Sequence, residues 1–126
     1  MTDPGLFLGV AAAGAVGAPA RFLVDGFVRS RTRDDLPYGT LLINLSGSFL
    51  LGLLTGLALT RGFPQTPFVL LGTGFCGAYT TFSTFAFETE RLAEEDERGR
   101  ALVNVGVSIV VGVAAAAAGF ALASLG

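Results

Sequence analysis

Charged residues in this chain fall in bunches, and the intervals between the bunches are apolar. No Asp, Glu, Lys or Arg occurs across Pro4–Ala20, Leu36–Thr60, Gly62–Phe87 or Ala101–Gly126, runs of 17, 25, 26 and 26 residues. The first run lengthens to about 21 residues if Arg21 sits at a helix end, and a bilayer core needs about 20 apolar residues per helix. The pattern therefore predicts an all-α membrane protein with four transmembrane helices, at about 4–24, 37–60, 67–92 and 101–125. These nearly exhaust the chain, so a single transmembrane domain over 1–126 is expected. The first run is read as a retained helix rather than a signal peptide: its leading flank carries Asp3 instead of a basic segment, and the arginines follow it.

The bunches are the connectors. The first, Asp25–Asp35, holds Arg29, Arg31 and Arg33; the second is a short Gly/Pro turn around Arg61; the third, Glu88–Arg100, holds Arg91, Arg98 and Arg100 among acidic residues. With four helices, the first and third connectors share one side of the membrane, and both termini share the other with Arg61. Six basic residues then face one, Arg21 being left out because it lies at or inside the membrane. Basic loops stay cytoplasmic, so both termini are expected outside a multi-pass protein of the cell membrane.

Polar groups inside the runs change the picture, because lipid offers them no hydrogen bonds. In the second run Asn44, Ser48, Gly52 and Gly56 recur every fourth residue; the fourth run repeats the device with Asn104, Ser108, Gly112 and Ala116. Small residues at this spacing let helices approach closely, which is the expected use of the Gly and Ala positions. Asn44, the costliest of these groups to hold in lipid, is assigned to the lining of a polar pathway.

The third run is unusual. From Gly72 to Phe85 it packs three glycines, four threonines and a serine into fourteen residues, poor composition for a continuous lipid-facing helix. Glycine lets the backbone leave helical geometry and frees carbonyl oxygens, and in a membrane such a break survives only inside protein or beside an ion or cavity. A broken helix with an ion at the break is expected. Phe82 and Phe85 lie three apart on one face, between Thr81, Ser83 and Thr84. Aromatic ring edges are electropositive, so edges and hydroxyls together suit a small anion. Phenylalanine at helical spacing also serves commonly as core, and composition alone leaves both readings open.

Composition removes other chemistries. The chain has no His and no Lys, and its single Cys76 offers neither an internal disulfide nor a metal cluster. A histidine triad, a Schiff-base lysine and a zinc site are absent, so no enzyme is expected. The net charge of −2 provides no basic face for nucleic acid.

Four motifs carry a resemblance along the whole chain: Gly17-Ala-Pro-Ala-Arg21, Tyr38-Gly-Thr-Leu-Leu-Ile-Asn44, Gly47-Ser-Phe-Leu-Leu-Gly52, and Gly74-Phe-Cys-Gly77-Ala-Tyr-Thr-Thr-Phe82-Ser-Thr-Phe85. With these the sequence resembles the fluoride channel family, Fluc or CrcB, and the last string is the most specific. The resemblance implies an antiparallel two-subunit assembly with two narrow pores that pass fluoride passively. It implies that Phe82 and Phe85 present ring edges to fluoride, that Asn44 donates its amide, and that Ser83, Thr84 and Ser108 form a polar track. It implies a structural sodium ion at the dimer interface, held by the carbonyls of Gly77 and Thr80, oxygen ligands of the sort a hard cation prefers. Arg21 and Glu88 would stand toward the vestibules, although a solvated helix end is an equal reading of Glu88. One departure concerns the track: where a hydroxyl is expected one turn beyond Ser108, this chain has Gly112.

Hydrogen fluoride enters cells as a neutral acid and dissociates inside. An inside-negative potential then drives the anion out by about 2.3 kcal/mol per 100 mV, so a passive pore gives fluoride resistance without hydrolysis or proton coupling. A homodimer of opposed subunits requires one chain to insert both ways. The six-to-one bias argues for a single orientation, and so for a heterodimer with an oppositely oriented paralogue over a homodimer. Two rival readings remain at this level: a non-conducting or topology-partner subunit, and a small multidrug-type exporter. The exporter would need a membrane-buried carboxylate, and the first helix has none.

Overall fold

The computed structural model describes residues 3–32, 36–95 and 97–125. Arg33, one of the six basic residues in the orientation count, lies outside them. The described residues are helical apart from short connectors: α1 Pro4–Arg29, α2 Tyr38–Thr60, α3 Gln65–Val69, a π-helical segment Leu70–Cys76, α4 Gly77–Tyr79, α5 Phe82–Glu94 and α6 Arg98–Ser124. Three of these, α1, α2 and α6, are long and apolar enough to cross a membrane.

The starts and stops follow local chemistry. Asp3 caps α1 by accepting a hydrogen bond from the Gly5 amide at 2.9 Å, with Pro4 in the first turn, where a missing N–H costs nothing. At the other end α1 continues past Val24 to Arg29, five residues beyond the apolar pattern, because Asp25 and Arg29 form an i,i+4 ion pair at 2.8 Å. Arg61, which ends α2, folds back on α6 and donates to the carbonyls of Ala123 at 3.2 Å and Leu125 at 2.5 Å. A cation is favourable at a helix C-terminus, and these bonds bring the second connector to the C-terminal end of α6. At the opposite end, Arg29 of α1 reaches Glu88 of α5.

The most extensive helix contact is α2 on α6. A side chain at Gly52 would strike the Ala116 carbonyl oxygen, and one at Gly119 would strike the Phe49 carbonyl oxygen, so these glycines set the separation of the two backbones. The fourth-residue repeat is used only in part. Gly52 and Gly56 of α2 meet α6, whereas Gly112 has open space around its Cα. The expectation that Gly112 packs a helix is corrected: the close approach comes one and two turns later, at Ala116 and Gly119.

The third run does not form one continuous helix. Thr80 and Thr81 are extended, with ψ of 160° and 120°, between α4 and α5. Before them the chain packs on α1 through the π-helical segment and α4; after them α5 packs on α6. The interruption thus lets one run exchange neighbours partway along its length.

Candidate functional site

The geometry at Thr80–Thr81 begins with Asn44. Its Nδ2 donates to the Thr81 carbonyl at 3.0 Å, and its Oδ1 accepts from the Thr81 amide at 2.9 Å. One side chain of α2 therefore satisfies both backbone groups of a single residue that no longer belongs to a helix. Thr81 in turn caps α5, its hydroxyl accepting from the Thr84 amide at 3.1 Å. Its β-branched side chain also favours extended backbone. In lipid an unpaired peptide group costs several kcal/mol, so Asn44 is what makes the interruption tolerable.

These bonds have a consequence for two carbonyls. In an unbroken helix the Gly77 carbonyl would accept from the Thr81 amide, and the Thr80 carbonyl from the Thr84 amide. Both amides are engaged elsewhere, by Asn44 and by Thr81 itself. Gly77 is exposed, and nothing lies within 4 Å of the position a Cβ would occupy. The donor set at Gly77 and Thr80 thus fits a hard cation, which those oxygens would hold by charge–dipole attraction when bound.

Two cavities adjoin Thr81, and Asn44 lines the first of them. The first, about 330 Å³, opens beside Ser48, Gly77, Thr80, Thr81 and Phe82. Phe82 is 78% exposed at its mouth, and its ring lies 5.8 Å from that of Phe85 at a 50° tilt. The second, about 260 Å³, lies on the α1 side and is lined by Arg21, Asp25, Thr40, Thr81 and Thr84. Thr81 borders both. Glu88 is beyond the second cavity, buried at 5% exposure: its Oε1 accepts from the Thr40 hydroxyl at 2.6 Å and its Oε2 pairs with Arg29 at 3.2 Å. A solvated helix end is therefore not the state of Glu88.

Among the residues singled out in the sequence, the structure brings Asn44, Gly77, Thr80 and Phe82 to the first cavity and Arg21 and Thr84 to the second. Ser83 is exposed, and Ser83, Phe85 and Ser108 line neither. One turn before Ser108, Asn104 is buried and donates to the Thr89 hydroxyl at 2.8 Å, tying α6 to α5. Three residues escaped the sequence reading: Thr40, Thr81 as the backbone pinned by Asn44, and Arg29 as the partner of Glu88. Thr40 had a signal, since it precedes Asn44 by four residues and extends the Asn44–Ser48 line by one turn.

A family model described as "CrcB-like protein, Camphor Resistance (CrcB)" matches residues 8–120. The chain belongs to the CrcB family. Its similarity to individual members runs nearly end to end. It is 51% identical over 125 residues to the "Fluoride-specific ion channel FluC 2" of Mycolicibacterium paratuberculosis, covering 99% of each chain. It is 49% identical over 114 residues to the protein of that name from Mycobacterium tuberculosis, covering 90% of this chain and 87% of the relative. To the "Fluoride-specific ion channel FluC 1" of Leifsonia xyli subsp. xyli it is 50% identical over 105 residues, covering 82% and 77%. With three helices of spanning length and this membership, the CrcB chain is a multi-pass membrane protein.

Proposed function

We propose that this CrcB chain is a subunit of a fluoride-selective channel that exports fluoride from the cytoplasm by passive electrodiffusion, giving fluoride resistance. The observation that carries the reading is the 51% identity, over nearly the whole of both chains, to a relative named as a fluoride-specific ion channel. Three features of the site support it: an interrupted third transmembrane run, Thr40, Thr81 and Thr84 around the second cavity, and an exposed Phe82 ring at the first.

In this reading Phe82 and Phe85 offer ring edges to the anion, and Ser83, Thr84 and Ser108 offer hydroxyls. Asn44 spends one N–H on Thr81 and retains a second for the ion. Weak, numerous donors hold a small anion without the deep trap that a buried arginine would create. Arg21 and Glu88 stand at the approaches. The site is completed by a second, antiparallel subunit, which covers the exposed Phe82 and shares a structural sodium ion at the Gly77 and Thr80 carbonyls.

The termini are placed outside, and the partner is an oppositely oriented paralogue rather than a second copy. The charge bias supports this, as does the recurrence of both "FluC 1" and "FluC 2" among the relatives' names. The test is fluoride efflux from liposomes, read with a fluoride electrode against chloride, for the chain alone and co-expressed with a paralogue. Efflux only with the paralogue is the expected result. Efflux from the chain alone removes the heterodimer, and none in either case removes the channel.

A further inference from the structure

Glu88 is an awkward residue for an anion path. Its carboxylate is 5% exposed, and it bonds to Thr40, whose side chain also lines the cavity shared by Arg21, Thr81 and Thr84. A bare negative charge there would repel fluoride across the width of one hydroxyl. The structure supplies its compensation from another element. Arg29, the last residue of α1, pairs its Nη2 with Glu88 Oε2 at 3.2 Å while its Nε bonds Asp25 Oδ2 at 2.8 Å. Asp25, one turn back on α1, thus holds the guanidinium plane, and the guanidinium holds one oxygen of Glu88 while Thr40 holds the other. A planar fork bridging two carboxylates is a task for arginine rather than lysine.

We infer that Arg29 is a positioning residue of the fluoride path: shared between Asp25 and Glu88, it offsets part of their negative charge at the Thr40 end of the cavity and keeps the Glu88 carboxylate turned toward α1. The inference rests on the fluoride-channel reading above. A second arginine provides an internal comparison. Arg91 lines the same cleft as Arg29 and Glu88, yet makes no ion pair among the described residues. If only the general field of the cleft mattered, the two arginines would be equivalent.

The experiment compares full-length variants in liposomes, with the paralogue wherever the wild type requires it. Arg29→Gln is expected to slow fluoride efflux about tenfold at low salt, corresponding to about 1.4 kcal/mol at the mouth. The deficit should shrink as ionic strength rises, because salt screens a charge and does not repair a misfolded helix. Arg29→Lys should recover part of the flux. Arg29→Gln/Glu88→Gln, which no longer leaves Glu88 charged and leaves Asp25 as the one carboxylate that has lost Arg29, should exceed the single variant by about threefold or more, while Arg91→Gln stays within about twofold of wild type. Wild-type flux in Arg29→Gln, or an equal loss in Arg91→Gln, overturns the role of Arg29 and leaves the channel reading intact. Should Arg29→Gln not assemble, the double variant decides: folded and conducting it supports the inference, folded and silent it overturns it. A wild type that passes no fluoride, with or without the paralogue, overturns the channel reading itself.

Discussion

The two halves of α2 use one fourth-residue repeat for opposite purposes. Toward its C-terminal end, Gly52 and Gly56 bring α2 against the backbone of α6, with no room for a side chain. Toward its N-terminal end, Thr40, Asn44 and Ser48 face cavities and an interrupted helix, and their polar atoms are spent on Thr81, Glu88 and the cavity walls. A run of small and polar residues is thus a seam where the partner is a regular helix and a polar cavity wall where it is not. The difference arises in the third run, whose extended Thr80–Thr81 pair presents open backbone groups to α2 instead of a closed helical surface.

The sharpest way to break this contrast is Asn44→Ala. It leaves the Thr81 amide and carbonyl unpaired, at about 1–3 kcal/mol for each group. We expect thermal stability in detergent to fall by a matching amount and fluoride efflux to vanish; a stable, conducting variant would show that Thr81 finds other partners. Next comes Gly52→Val, which forces a branched side chain into the Ala116 backbone. Overpacking of this kind costs about 1–3 kcal/mol, so the seam should loosen and the melting temperature drop, with the Asn44 bonds untouched.

Phe82→Ile separates function from packing in the other half. Isoleucine keeps an apolar side chain at this exposed position but has no electropositive ring edge, so subunit assembly by size-exclusion chromatography should be unchanged while fluoride efflux is lost. Unchanged efflux would take Phe82 out of the pore. The smallest effect is expected at Gly112→Ser. Its surroundings are open where those of Gly52 are closed, so stability should change by no more than about 0.5 kcal/mol. A serine there restores the hydroxyl one turn beyond Ser108, and efflux should hold or rise. A destabilisation as large as that of Gly52→Val would mean that a partner helix covers this position.

Much of the architecture is legible from local composition. The charge-free runs place α1, α2 and α6, and the glycine- and threonine-rich stretch marks the region where the third run is interrupted. Helix ends were less legible. The first helix runs to Arg29 because Asp25 and Arg29 pair across one turn, an effect that an apolar window does not register. Asn44 stood out as costly, but its partner lies 37 residues away, a relation that periodicity within α2 does not contain. The same holds for Glu88. On its own helix it is the first charge after an apolar run, indistinguishable from a solvated end, until Arg29 and Thr40 are seen to close over it.

Hydrophobicity and charge act residue by residue, and so the chain itself settles how many apolar runs there are, where the connectors lie, which connectors are basic, and which family its motifs belong to. Hydrogen-bond satisfaction and close packing are relations between segments distant in sequence. Only the assembled helices decide that Thr81 is the residue Asn44 pins, that the Gly77 and Thr80 carbonyls lose their helical donors, that Gly119 and not Gly112 meets α2, and that Glu88 is buried against an arginine. Each of these depends on which polar or small surface a second helix happens to bring within reach, and no single helix carries that information.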